Sequence, residues 1–138
     1  MREAIKEAQK ALSLDEVPVG AVIVAGDRII ARAHNLTERL NDVTAHAEMQ
    51  CITSAANNIG GKYLTDCTIY ITLEPCVMCA GALSWSQVSR MVFGASDTKR
   101  GFTLVDHSLL HPKTSVTHGV LADECGKLLR DFFSRRRM

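Results

Sequence analysis

The chain has 138 residues, the size of one ordinary domain, and we expect residues 1–138 to form a single domain. Its 46% hydrophobic and 22% charged residues supply enough apolar material for a core, which excludes an intrinsically disordered chain. The net charge of +1 gives no indication of a nucleic-acid partner, and no apolar run is long enough for a transmembrane helix.

The first half of the chain predicts a helix, a β-hairpin and a second helix. Residues 2–13 have alanine, isoleucine and leucine at helical spacing and lack the apolar block of a signal peptide, so a cytoplasmic protein is expected. Two strands are predicted at 17–24 and 28–35, joined by a short turn. A polar loop at 36–43 leads to a helix from about Ala45 to Asn57, which Asn58, Gly60 and Gly61 end.

The second half alternates strands with helices. We expect a strand at 67–73, a helix at 76–85, a strand at 90–94, a polar loop at 96–102, a strand at 114–120 and a helix from 121 to the C-terminus. The order α-β-β-α-β-α-β-β-α predicts an α/β fold, a three-layer α/β/α sandwich around a five-stranded mixed sheet. Ligand sites in such sheets open at the carboxyl ends of the strands, and His46 and Cys76 both fall at predicted helix starts on that edge.

Cys76 and Cys79 have the spacing of a functional pair. The five cysteines form an odd set without a signal peptide, which argues against a disulfide framework. Three interpretations of the pair stay open: a thioredoxin-like redox pair, half of a structural zinc site with four protein ligands, and a catalytic zinc site with three. The other cysteines, which we expect in the core, form no second pair and so weaken the structural zinc site; they are Cys51, Cys67 and Cys125.

His46 and Glu48 lie two residues apart, so on a regular helix their side chains point in nearly opposite directions. If His46 lies in the first turn, both side chains reach a site just beyond the helix end. A zinc ion held by two thiolates and a neutral imidazole lowers the pKa of its bound water less than one held by three histidines. A nearby carboxylate that acts as a base is therefore valuable. Glu48 is the candidate for that base.

The segment His46-Ala47-Glu48 with Pro75-Cys76-Val77-Met78-Cys79 closely resembles the signature of the zinc-dependent nucleobase deaminases. From about residue 2 to the last helix, the chain resembles the bacterial tRNA-specific adenosine deaminases. The segments that carry this resemblance are VPVGAVIV, the HN at 34–35, TAHAEM, LEPCVMCAGAL and RMVFGASDTKRG.

The resemblance implies a cytidine deaminase-like fold that binds one Zn²⁺ per chain through His46, Cys76 and Cys79. It implies hydrolysis of adenosine to inosine at the wobble position of a tRNA anticodon. In this reaction Glu48 takes a proton from the attacking water, returns it to N1 of adenine and assists the departure of ammonia. Two further residues are implied as substrate contacts, namely Asn35 to the base and Asp97 to the substrate backbone.

The resemblance also implies a tRNA anticodon stem-loop as partner, a homodimer and no membrane association. Basic residues in the loop after the fourth strand and in the C-terminal helix are candidates for phosphate contacts: Lys99, Arg100, Arg130, Arg135, Arg136 and Arg137. Members of the family usually have several residues before the segment that matches Met1–Arg2.

Three alternatives remain open from the sequence. The nearest is a deaminase of a free base or nucleoside, of the guanine or cytosine type, which would share the zinc, Glu48 and the fold. A zinc-stabilised RNA-binding domain without activity would not need Glu48. A thiol oxidoreductase would use Cys76 and Cys79 as a redox pair.

Overall fold

The computed structural model of the chain describes residues 1–136, and its helices and strands follow in the predicted order. The helices are α1 (Arg2–Ser13), α2 (Ala47–Ile59), α3 (Val77–Ser86) and α4 (Ala122–Arg136). The strands are β1 (Gly20–Ala25), β2 (Arg28–His34), β3 (Cys67–Leu73), β4 (Arg90–Ala95) and β5 (Ser115–Thr117).

Two predicted strands had the wrong bounds. The first was predicted at 17–24 but begins only at Gly20. The last strand is much shorter than 114–120, because Gly119 and Leu121 adopt positive φ angles of 79° and 55° that turn the chain out of the sheet. Beyond the predicted loop at 96–102, the chain forms two short 3₁₀ turns, Phe102–Leu104 and His107–Leu109. Helix α2 ends as expected at a glycine, since Gly60 takes the left-handed conformation at φ 74°.

The five strands form one mixed sheet in the order β2-β1-β3-β4-β5. β1 is antiparallel to β2 and to β3, whereas β3, β4 and β5 are parallel to one another. β2, β3, β4 and β5 therefore run in the same direction and end at the same edge of the sheet, which we call the carboxyl edge.

Helices cover both faces of the sheet, which confirms the three-layer sandwich. α2 and α3 pack on one face, over a core that includes Ile23, Ile69 and Leu83. α1 and α4 pack on the other face, and α1 comes so close to β1 that a Cβ on Gly20 would overlap the backbone of Ala4 and Ala8.

α1 and α4 run side by side in the same direction. Arg2 pairs with Glu124 at their starts, at 3.7 Å, and Asp15 pairs with Arg136 at their ends, at 3.2 Å. Within residues 1–136, no helix has the length and apolar character to cross a bilayer.

Candidate metal centre and adjoining cleft

His46 and Cys76 are the N-caps of α2 and α3. Both have extended backbone, with φ and ψ of −69° and 155° for His46 and −73° and 174° for Cys76. His46 thus lies one residue before the first turn in which we placed it. Each N-cap carbonyl accepts the first helical hydrogen bond, from Gln50 N for His46 and from Ala80 N for Cys76.

This placement resolves the question of direction that His46 and Glu48 raised. Because His46 precedes the helix, its side chain does not follow the helical rotation, while Glu48 lies inside the first turn of α2. Cys79 lies in the first turn of α3, one turn after Cys76. The two helix starts therefore bring four chemically active side chains to the carboxyl edge of the sheet.

The three predicted zinc ligands lie at distances that suit a zinc ion. His46 Nδ1 is 3.7 Å from Cys76 Sγ and 3.5 Å from Cys79 Sγ, and the three atoms lie within 4.8 Å of one another. Tetrahedral bonds of about 2.3 Å to sulfur and 2.0–2.1 Å to nitrogen separate the two ligand atoms by roughly 3.5 Å. The group fits one Zn²⁺ with a fourth position left for water. As predicted, the remaining cysteines are buried in the core, away from this group; they are Cys51, Cys67 and Cys125.

In the metal-free protein the two thiols differ in their protonation. The hydrogen bonds that Cys76 receives from Cys79 and His46 lower its pKa to about 4, despite partial burial. The pKa of Cys79 is raised by the same hydrogen bond with Cys76 and by burial, and that of His46 is raised by its bond to Cys76. One thiolate is therefore ready at neutral pH, and binding of a metal releases the proton of the second.

Glu48 is buried beside this group, with only 4% of its surface exposed. Burial raises the pKa of its carboxyl to about 7, against the opposing effects of a backbone hydrogen bond and of His46. A carboxyl group with a pKa near neutrality both accepts and donates a proton readily, which is what a general acid–base requires.

A cleft of about 540 Å³ opens in front of these side chains. Its volume lies in the range of small-molecule sites and it is mostly apolar. Its walls are Val17, Val19, Asn35, Thr37, Val43, His46, Ala47, Glu48, Leu73, Glu74, Cys76, Met78, Asp97 and Arg100.

Asn35 and Asp97, the two predicted substrate contacts, both line the cleft, and both also make hydrogen bonds within the protein. The Asn35 amide donates to Val17 O at 3.3 Å and its Oδ1 accepts from Thr37 N at 3.2 Å. Asp97 Oδ1 accepts from the backbone amides of Lys99 and Arg100, each at 3.0 Å. These contacts orient the two side chains, and the remaining Asp97 oxygen has no such bond within the described residues.

The basic residues fall into two groups. Lys99 and Arg100 are exposed in the loop after β4, and Arg100 lines the cleft. Arg130, Arg135 and Arg136 are exposed on α4, and the pairing of Arg136 with Asp15 holds the end of this helix next to the segment that leads into the cleft. Arg137 lies outside the described residues.

Two buried carboxylates near the cleft were not predicted. Glu16 and Glu74 are 0% and 3% exposed, and each precedes a short segment that leads into the cleft. A glutamate next to a Val-Pro or Pro-Cys sequence gives no sign of burial, so the sequence pattern alone held no signal for them.

Comparison with known proteins gives consistent results. Residues 1–95 match the zinc-binding region of the cytidine and deoxycytidylate deaminases. The tRNA-specific adenosine deaminase of Bacillus subtilis is 47% identical over 99% of this chain and 88% of its own length. The enzyme of the same name from Haemophilus influenzae is 46% identical over 99% and 83%. A solved structure from a study of A-to-I editing by tRNA:A34 deaminases at the wobble position has a TM-score of 0.87, 40% identity and coverage of 94% and 97%.

Proposed function

Because the chain belongs to the tRNA-specific adenosine deaminases, we propose that it hydrolyses adenosine to inosine at the wobble position of a tRNA anticodon. The observation that carries the chemistry is the buried Glu48 carboxyl next to the three metal-binding side chains at the base of the cleft. The choice of tRNA adenosine as the substrate is based on the relatives, which are tRNA-specific adenosine deaminases.

His46, Cys76 and Cys79 are the proposed zinc ligands, and their separations support this role. When bound, the ion supplies an acidified water as the nucleophile. Glu48 would accept the proton of that water, because its buried carboxyl lies beside the three proposed ligands. The same carboxyl would then pass that proton to N1 of the base, take a second proton from the hydroxyl group added at C6 and donate it to the departing amine, so that one side chain serves both halves of the hydrolysis.

Asn35 and Asp97 are the proposed substrate contacts. Asn35 has one amide proton free besides the one that it donates to Val17 O, which suits an acceptor on a purine edge. Asp97 has a free carboxylate oxygen that suits a ribose hydroxyl. The adenosine must leave its stack to enter the cleft, and an anticodon loop makes this inexpensive.

An assay of inosine in a synthetic anticodon stem-loop tests the function. We expect inosine only at the wobble adenosine, and a matched stem-loop with guanosine at that position serves as the control. Ammonia released from free guanine, cytosine or cytidine, with no inosine in the stem-loop, would refute the proposal in favour of a free-base or nucleoside deaminase.

The basic residues of α4 and of the loop after β4 are proposed phosphate contacts. α4 ends beside Asp15, two residues from Val17 in the wall of the cleft, which supports a path for the RNA backbone along this side. Triple replacement of Arg135, Arg136 and Arg137 by alanine should weaken stem-loop binding and make its salt dependence shallower. An unchanged affinity and salt dependence would refute these contacts.

We propose that the chain acts as one domain, in the cytoplasm, and as a homodimer. Exposed apolar side chains on and near α3 support self-association, above all Trp85, which is 84% exposed, with Val77 and Tyr63. Sedimentation at micromolar concentration tests the assembly, and a monomer there would refute it.

A further inference from the structure

Glu16 is fully buried at the base of the loop that forms one wall of the cleft. Its two carboxylate oxygens accept hydrogen bonds from the backbone amides of Glu38, at 3.0 Å, and Arg39, at 2.7 Å. Thr37 and Val43, on either side of these amides, line the cleft. No cationic side chain forms an ion pair with Glu16 among residues 1–136, so these amides take the place of a counter-charge.

Glu74 occupies the corresponding position in the opposite wall of the cleft. Its Oε1 accepts from Asp97 N at 3.1 Å, and its Oε2 accepts from Thr103 N at 3.1 Å and from the Thr103 hydroxyl at 2.7 Å. Gly101 lies so close to this carboxylate that a Cβ there would overlap Oε2. The loop that carries Asp97 and Arg100 to the cleft is thus fixed at both of its ends to one side chain.

The two arrangements share a physical logic. A buried carboxylate without a counter-ion is costly, and it persists only where hydrogen-bond donors satisfy it. Here the donors are mostly amides of exposed loops rather than core groups. Removal of either carboxylate leaves loop amides without their acceptor, and the loop then loses contacts that tie it to a buried side chain.

We propose that Glu16 and Glu74 are positioning residues that hold the two walls of the cleft at a fixed separation, so that a bound nucleoside is oriented towards Glu48. Neither side chain needs to contact the substrate. This inference deepens the proposed deamination of tRNA and rests on it. The metal ligands and Glu48 lie at the starts of α2 and α3 and not on these loops, so loosening of the walls weakens substrate capture more than it slows chemistry.

The test uses Glu16→Gln and Glu74→Gln, each of which keeps the side-chain shape but replaces an acceptor oxygen by an amide group. The matched control is Glu38→Gln, since Glu38 lies exposed on the same loop as the Glu16 contacts and loses the same charge. In the zinc-loaded protein we expect faster hydrogen exchange at the amides of Glu38 and Arg39 in Glu16→Gln. In Glu74→Gln we expect it at the amides of Asp97 and Thr103.

We expect KM for the stem-loop to rise about tenfold or more in both variants, the ratio that corresponds to the loss of one charge-assisted hydrogen bond. kcat should fall by a smaller factor, and zinc should stay at one per chain. The control should show neither change, and any gain in RNA affinity from its lost negative charge would act in the opposite direction.

Unchanged hydrogen exchange at the loop amides that the replaced glutamate binds would overturn the proposal. Faster exchange at these amides with an unchanged KM for the stem-loop would overturn it as well. If Glu16→Gln fails to fold, Glu16→Asp keeps the charge and withdraws it from the two amides, and the same expectations apply. A wild-type chain that forms no inosine would refute the proposed function instead, because the exchange experiment needs neither RNA nor turnover.

Discussion

Replacement of Glu48 by glutamine should abolish turnover and at the same time stabilise the metal-free protein. The glutamine has the same shape, so the packing around this 4% exposed side chain is kept. It neither accepts a proton from water nor donates one to the base. General acid–base catalysis contributes about 10²–10⁴-fold. Since the role proposed for Glu48 covers both halves of the reaction, we expect a loss near 10⁴, about 5 kcal/mol in the barrier.

The stability change follows from the raised pKa. The Glu48 carboxyl titrates at about 7 when folded and at 4.5 in its ordinary state, because burial penalises its charged form. Below about pH 4.5 both states are protonated and the penalty is absent. As pH rises towards 7 the unfolded state loses its proton first, so the wild-type fold loses stability. By pH 8 the difference amounts to about 3 kcal/mol, and Glu48→Gln should be the more stable protein by that order.

Urea unfolding of the chelator-treated proteins at pH 5 and pH 8 measures this change, and single-turnover deamination of the stem-loop measures the rate. The control is Glu38→Gln, which removes an exposed carboxylate and should alter neither result. Turnover within tenfold of wild type in Glu48→Gln would refute the assigned proton transfer. A variant less stable than wild type at pH 8 would refute the argument from burial.

Three further predictions concern the metal, the packing of α1 and the buried side chain of Glu7. Cys79→Ser should bind less than one zinc per chain at micromolar concentration, and a chelator should lower the Tm of wild type but not of this variant. Gly20→Ala should destabilise the fold by about 1–3 kcal/mol, because the added Cβ would overlap the backbone of α1. Gly81→Ala is the control. A Cβ at this position has no atom within 4 Å, and the replacement should stabilise α3 by about 0.5–1 kcal/mol. Burial raises the pKa of Glu7, but the hydrogen bonds from Lys10 and His34 outweigh this effect and lower the pKa overall. The ionised carboxylate therefore stabilises the fold above the ordinary pKa of a glutamate, and this stability is lost as the pH falls. In urea unfolding between about pH 5 and 3, Glu7→Gln should lose less stability than wild type.

The helices and strands that were best predicted are those whose ends are set by a proline or a glycine in the local sequence. Pro75 lies between the end of β3 and Cys76, the N-cap of α3, and Gly60 supplies the left-handed residue that ends α2. The length of β5 was not predictable, because its limits depend on turns at Gly119 and Leu121 and on a partner strand that it meets over only three residues.

The metal-binding group was predictable because its residue types are restrictive, but its geometry was not. Whether His46 lies before the first turn or within it is a difference of one residue that decides where its imidazole points. Glu16 and Glu74 were missed for another reason. An acid one or two residues before a proline has the pattern of a solvated turn, and only the folded chain brings the amides of distant loops to these carboxylates.

The three proposed zinc ligands come from two helix starts that are 30 residues apart in sequence, with the central strand β3 between them. A peptide that contained only residues 75–79 would hold two of the three. Capture of zinc therefore requires β3 to be seated between its neighbours and both helices to be docked. Metal affinity and folding free energy are then linked quantities. A core substitution far from the cleft that raises the population of chains with an incompletely formed sheet will weaken zinc binding in proportion to that population. A chelator competition experiment thus doubles as a measurement of tertiary stability.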